Sequence, residues 1–336
     1  MNKTILIFLF AILCSLSGFA QLTFQKSFGG ASDNEWQFDL KKMQQSGYLI
    51  TGATDNFGAG NFDAYCIRLD NKGDMLWSKT YGTNLPDSKT RCYGTKDKGF
   101  LAAFTTSTKA KDRDSGLVVL KCDVNGNVQW SKVITDNKMW GFSAAYLYED
   151  KKGNFYVLYG SGGTITLVKL TTSGDITWSS VIDTKPLHSF EGELIAEVGN
   201  NILVGGESYG DNWITYGSFI HLFVFDEHGE IKTCKRICAG GCYNENYLSI
   251  ANIVVSNDSI YVNATYTPSD DYRTYTCWFT LPPESKAITA GYVEYTSMHT
   301  VQYLVNKQII RLKTDPFRDA SIKTYAGYKN QKQKAI

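Results

Sequence analysis

Proline is scarce in this chain, with 6 residues against 30 glycines. A chain so composed breaks its regular structure with tight turns and reads as many short strands. No sign of charge prevails, since 34 Lys and Arg face 33 Asp and Glu. That balance excludes the basic footprint of a nucleic-acid binder and the acidic run of a solvating tail. No stretch carries the 3.6-residue apolar period of an amphipathic helix, which excludes helical repeats. Neither a phosphate-binding loop nor a dinucleotide glycine fingerprint occurs. The four histidines, His188, His221, His228 and His299, are scattered, without the spacing of paired metal ligands.

Apolar runs are short as well. Ile5 to Leu13 is the most apolar segment, too short to span a bilayer comfortably. With Lys3 before it and Ser17-Gly18-Phe19-Ala20 after it, it reads as a secretory signal cleaved after Ala20. Cys14 lies close by, but Leu13 stands where a lipoprotein signal wants a small residue. The expectation is a secreted or periplasmic protein without a membrane span. Seven cysteines follow Ala20, an odd number that leaves at least one thiol unpaired. Their spacing is irregular, so disulfides are not the framework. Cys234, Cys238 and Cys242 match neither a zinc ribbon nor an iron–sulfur run, and Cys238 and Cys242 could pair across the Gly-Gly bend between them.

What is present is repetition. Gly73-Asp-Met-Leu-Trp77-Ser, Gly126-Asn-Val-Gln-Trp130-Ser and Gly174-Asp-Ile-Thr-Trp178-Ser set three tryptophans 53 and 48 residues apart. Such a period marks an array of supersecondary units. Each unit reads as four short strands, the third and fourth joined by a turn such as Asp70-Asn-Lys-Gly73 or Asp123-Val-Asn-Gly126. Glycine supplies positive φ in these turns and Asp caps them, so they need no calcium to explain them. Four strands per unit in a closed array is the plan of an all-β propeller. The count comes to six blades, with five or seven as alternatives. Phe24 stands in the tryptophan column, so an N-terminal strand is expected to close the ring as the outer strand of the last blade. Thr233 holds the column in the fourth unit. The expected division is a signal peptide at 1–20, one propeller domain at 21–328 and a polar tail at 329–336.

A strand ending Ile67-Arg-Leu-Asp70 or Val119-Leu-Lys-Cys-Asp123, then a turn glycine, then Trp-Ser-Lys, resembles propeller repeats of exported Bacteroidota proteins. It is distantly similar to the tryptophan-docked blades of quinoprotein-like propellers. The resemblance covers residues 24–236 best and implies fold. It says little of activity, because such propellers serve as binding platforms, assembly factors and enzymes.

Two residue columns recur. The tryptophans are expected to wedge between neighbouring sheets with the indole N–H bonded. Arg68, Lys121 and Lys169 form a basic column that Val224 breaks, as expected of stems packed between blades rather than of a cation ring. Ligand contacts are expected in the loops at one face: either the loops entering each blade, with Glu35 and Trp36, Trp140, Phe190 and Glu191, or, as the other candidate face, the second-to-third-strand loops, with Tyr209, Trp213 and Tyr216. Acids and aromatics together suit stacking on sugars or docking of a polypeptide. The leading expectation is a non-enzymatic binding or scaffold protein, monomeric, engaging a protein or glycan, with no nucleic-acid partner, no cofactor and no metal. The alternative is a carbohydrate-active enzyme, a glycoside hydrolase or lyase, using loop carboxylates such as Glu35 and Glu191. A quinone- or metal-dependent enzyme is a third reading.

Overall fold

The computed structural model describes residues 26–28, 35–44, 46–59, 62–107, 116–135, 145–161, 164–183, 189–210, 217–239, 247–256, 259–267, 275–281, 301–305, 308–312, 320–323 and 330–332. Strands pair antiparallel and in chain order. The first sheet is β1 (Glu35–Lys42), β2 (Tyr48–Thr54), β3 (Asp63–Leu69) and β4 (Met75–Tyr81). The second is β5 (Asp87–Gly94), β6 (Phe100–Thr106), β7 (Gly116–Cys122) and β8 (Val128–Thr135). The third is β9 (Tyr146–Glu149), β10 (Phe155–Ser161), β11 (Thr164–Leu170) and β12 (Ile176–Asp183), and the fourth β13 (Ser189–Val198), β14 (Asn201–Gly210), β15 (Gly217–Phe225) and β16 (Ile231–Ala239). Then come a three-stranded sheet of β17 (Tyr247–Ser256), β18 (Ser259–Thr267) and β19 (Tyr275–Leu281), and a pair, β20 (Val301–Val305) with β21 (Gln308–Leu312). The described residues are thus all-β, and their first four sheets are built on the four-stranded plan of propeller blades. Two late strands lie elsewhere: β22 (Ala320–Lys323) extends the fourth sheet beyond β16, and β23 (Asn330–Lys332) extends the third beyond β12.

The cores lie between sheets. Leu49, Ala64 and Cys66 of the first blade meet Phe100, Ala102 and Phe104 of the second. The alternate residues Leu101 and Ala103 face the third blade and meet Phe155 and Val157. Both faces of β6 are therefore covered, which is why Phe100–Thr106 is buried throughout and reads as an apolar run without alternation. The first strands succeed one another through the stack, β1 on β5, β5 on β9, β9 on β13 and β13 on β17.

The tryptophans join each blade to the next at the outer strand. The indole N–H of Trp77 donates to the carbonyl of Val124 at 3.1 Å, that of Trp130 to Thr172 at 2.9 Å, and that of Trp178 to Glu227 at 2.8 Å. Each acceptor lies in the third-to-fourth-strand turn of the following blade. The turn glycines there, Gly126, Gly174 and Gly229, have positive φ and lie under the rings, closely enough that a Cβ would strike them at 3.0, 2.7 and 2.6 Å respectively. The rings are half-buried because they sit on the outermost strand.

The two columns prove to be one feature. Arg68 pairs directly with Trp77, Lys121 with Trp130, Lys169 with Trp178, and Val224 with Thr233. The cation turns to its own blade. Arg68 donates to the carbonyls of Ser46, Tyr48 and Leu69, and Lys121 to that of Cys122 and to the Asp97 carboxylate at 2.8 Å. Lys169 lies 5.7 Å from the Tyr156 ring. The aspartate turns need nothing further: Asp70 Oδ1 accepts from Lys72 and Asp74, and Asp123 Oδ1 from Asn125 and Asn127, each at 2.8 Å.

Cys66, Cys92, Cys122 and Cys234 carry free thiols. Burial pushes Cys92 and Cys234 up to about 12, so these are inert core groups. Cys238 shares β16 with Cys234, while Cys242 lies outside the described residues. His221 is buried and stacks on Phe223, and His228 stands exposed in a turn.

Candidate functional site

Strand register defines one rim: the starts of the first and third strands of each blade with the ends of the second and fourth. Acidic residues occupy several positions along it. Glu35 opens β1 and stands opposite Thr54, which stands opposite Asp63. Asp87 opens β5 at the equivalent position, opposite Thr106. In the fourth blade Glu191 stands opposite Glu207. A β-bulge follows soon after in each first strand, between Trp36 and Asp39, Ser88 and Arg91, and Gly192 and Leu194. Bulges bend and twist a strand locally and re-aim its side chains, so the acid-bearing ends are set apart from the regular ladder below.

The best-defined part of the rim is the boundary of blades one and two. Asp63 and Asp87 are 1% and 0% exposed. A Cβ on Gly82 would lie 2.2 Å from Asp63 Oδ1 and 2.5 Å from Asp87 Oδ2, so both carboxylates converge on the bare face of one glycine. Gly58 makes similar room, for a Cβ there would lie 2.2 Å from Asp63 Oδ2. The Asp87 amide donates to the Phe62 carbonyl at 2.8 Å, tying the strand start to the neighbouring blade. Asp87 Oδ2 accepts from the Thr83 amide at 2.7 Å, whereas Oδ1 is buried without a hydrogen-bond partner. Burial raises the Asp87 acid above the usual carboxylate range; hydrogen bonds from Thr106 and Thr83 oppose the rise, and Asp63 adds to it. Nearby, Phe57 stacks on Tyr65 with ring centroids 6.0 Å apart and remains half exposed.

The expected ligand residues divide into two groups. Glu35, Trp36, Phe190, Glu191 and Tyr209 lie at strand ends on this rim, in β1, β13 and β14, rather than in loops. The difference arises because the β13–β14 ladder runs on to Ser189 and Tyr209. Trp140, Trp213 and Tyr216 lie outside the described residues. Sequence reading took Asp87 for part of a loop entering the second blade, whereas it opens β5; it passed over Asp63 and Glu207, which are embedded in strands, and only their shared row at the strand ends could have flagged them. Among the described residues no three His, Cys, Asp or Glu side chains gather as metal ligands, and no helix is long and apolar enough to cross a membrane.

No family model matches the chain, and no curated relative does. Solved structures of similar layout include a GH43 endo-arabinanase from Bacillus licheniformis, at 13% identity and TM-score 0.40, covering 73% of this chain and 92% of that one. A GH43 beta-1,3-galactosidase is similar at 12% and 0.36 over 72% of this chain, which spans only 55% of that longer protein. Drosophila Plexin A, solved with Semaphorin 1b, is similar at 10% and 0.44, over 74% of this chain and 52% of that one. These likenesses agree with the propeller plan read from the sheets and assign no activity. The expectation of a non-enzymatic binding or scaffold protein is nevertheless corrected: the structures of similar layout are mostly glycoside hydrolases, and the platform reading is dropped for its alternative. The case for that alternative is argued from the residues.

Proposed function

We propose that the protein is an exported carbohydrate-active enzyme working at the acidic rim, with Glu35 and Glu191 as the carboxylates that meet the sugar. The observation that carries this reading is that first strands of separate blades bring acids to one rim, Glu35 in β1, Asp87 in β5 and Glu191 in β13. Glycosidic cleavage needs one carboxyl to protonate the leaving oxygen and a second, ionised, to attack or to activate water. Acids on different blades suit this, because blade spacing, not a single hairpin, sets their separation. A separation of about 5–5.5 Å would give retention, and about 6.5–9.5 Å inversion. Trp36, Phe190 and Tyr209, at strand ends on the same rim, are assigned to stacking on sugar rings, together with Trp140, Trp213 and Tyr216.

The scaffold in this reading is a closed ring of six blades, its last completed by an N-terminal strand through Phe24. A repeated contact supports the closure. Lys26 pairs with Asp74, 48 residues on, and Lys79 bonds Asn127, also 48 residues on. The segment around Lys26 thus meets the first blade as β4 meets the second. The signal at 1–20 implies export.

The test is release of new reducing ends by the protein beginning at Gln21, across a panel of arabinan, galactan, xylan and glucan substrates. Glu35→Gln and Glu191→Gln should each lower turnover about 10²–10⁴-fold while leaving thermal unfolding unchanged. Absence of product from every substrate, or full activity in both variants, would discard the assignment.

A further inference from the structure

We propose that the outer edge of β12 is a docking site for an extended segment of a partner protein, with β23 as its displaceable cover. The inference rests on the blades and not on the enzymatic reading. The first four blades treat their outer strands in two ways. Among the described residues nothing pairs beyond β4 or β8, whereas β23 pairs with β12 and β22 with β16. The sequence carries the same division. Two residues after the tryptophan stand Lys79 and Lys132 on the open edges and Ser180 on the covered one. A lysine on an edge strand opposes the approach of another strand; Ser180, 0% exposed and opposite Lys332 of β23, sets no such barrier. One residue further on, Val133 is 57% exposed while its equivalent Val181 is half-buried. Blade four has Lys235 at the lysine position, and β22 pairs only beyond it, from Arg236 on. The edge of β12 is thus built to carry a further strand.

The strand it carries fits poorly. Ile182, 1% exposed, belongs to the core between blades three and four, so the residue opposite it stands at the margin of that core. β23 brings Asn330 there, and Gln331 opposite Val181. Amides opposite β-branched residues forgo the cross-strand pairing that apolar residues give. β22 is no better matched at Lys323, which stands opposite Arg236, and like charges directly opposed are destabilising. β23 is also only three residues long. A ladder this short and ill-matched yields to a better strand. The register defines what would fit better: β-branched residues opposite Val181 and Ile182, and a basic residue one step on, opposite Asp183 at the end of β12. An extended polypeptide meets these terms, since strand addition draws affinity from main-chain hydrogen bonds and specificity from alternate side chains.

The test titrates the protein beginning at Gln21 into a fluorescein-labelled peptide, Ser-Thr-Lys-Ile-Val-Thr-Thr-Ser, and reads polarisation. The peptide should bind about tenfold tighter than a control with Asn-Gln in place of Ile-Val, the difference that two cross-strand pairs supply. Ser180→Lys, which gives blade three the lysine of blades one and two, should abolish binding. Asn330→Ile combined with Gln331→Val improves the cover from the outermost strand, without touching the four strands of the blade, and should weaken the peptide about tenfold. No binding to the unaltered protein would overturn the proposal, as would binding that Ser180→Lys leaves intact or an affinity indifferent to the altered cover. A dimer in sedimentation that Ser180→Lys dissociates would overturn it in favour of a second copy of the chain. Nothing here is read from turnover, so the outcome is separate from that of the sugar assay.

Discussion

Three blade boundaries carry a tryptophan reaching forward and a cation reaching back, and the fourth blade carries neither. In blades one to three the outer-strand tryptophan bonds a turn carbonyl of the next blade, while its cross-strand partner, Arg68, Lys121 or Lys169, serves its own blade. In blade four the same paired positions hold Val224 and Thr233. The joint loss shows the two columns to be a coupled unit. Directly opposed residues share one face of a sheet, so each cation and its tryptophan are set side by side. Without that neighbour, a long charged stem gains little over valine, which needs no partner for its head.

The largest effect expected from breaking this contrast is at Trp130. Trp130→Ala removes a half-buried ring, its contact with Phe155 and its bond to Thr172. It should cost about 3 kcal/mol in urea unfolding. Thr233→Ala, at the same position of the blade without the device, should stay within about 0.5 kcal/mol. Equal costs at the two sites would show that the tryptophans dock nothing.

A smaller effect isolates the ring from the turn beneath it. Gly174 and Gly199 both have positive φ, 85° and 58°, so alanine at either meets the left-handed penalty of about 1 kcal/mol. Only at Gly174 would the new methyl strike Trp130, at 2.7 Å, whereas Gly199 has nothing within 4 Å. Gly174→Ala should therefore cost about 2 kcal/mol and Gly199→Ala about 1. The excess at Gly174 should vanish when Trp130 is already alanine; an excess that persists would place its origin in the backbone.

Much of this architecture was legible because it repeats. The Trp-Ser phrases gave the blades, and the glycine turns gave the hairpins, since periodicity and turn chemistry are local properties of the chain. Where each indole lands was not legible, because its acceptor belongs to a turn 42 to 49 residues away whose position depends on how sheets stack. The rim acids were partly legible. Glu35 and Glu191 drew notice because they stood in stretches taken for loops, as Asp87 did, whereas Asp63, buried as Asp87 is, resembled an ordinary strand-edge polar residue. Their shared burial follows from blade one meeting blade two, which no local pattern records.

The smallest effect concerns the cation itself. Lys121 is 3% exposed and its ammonium meets Asp97, a half-exposed carboxylate. Burial works against ionisation of Asp97, but the hydrogen bonds from Lys121, Thr95 and Gly99 prevail and hold it below the usual range. A carboxylate so lowered contributes stability above its unfolded value of about 4, and that contribution is lost as pH falls through the folded value. Lys121→Met keeps the packed stem and removes the head. It should cost about 1 kcal/mol at pH 7, since Asp97 can turn to water once released. The difference from the unaltered protein should then narrow as pH falls below about 4, where Asp97 is protonated in both unfolded chains. Urea unfolding at pH 7, 4 and 3 measures it. A difference that stays constant over that range would mean that Lys121 acts through the Cys122 carbonyl and Gln129 alone, with the ion pair contributing nothing.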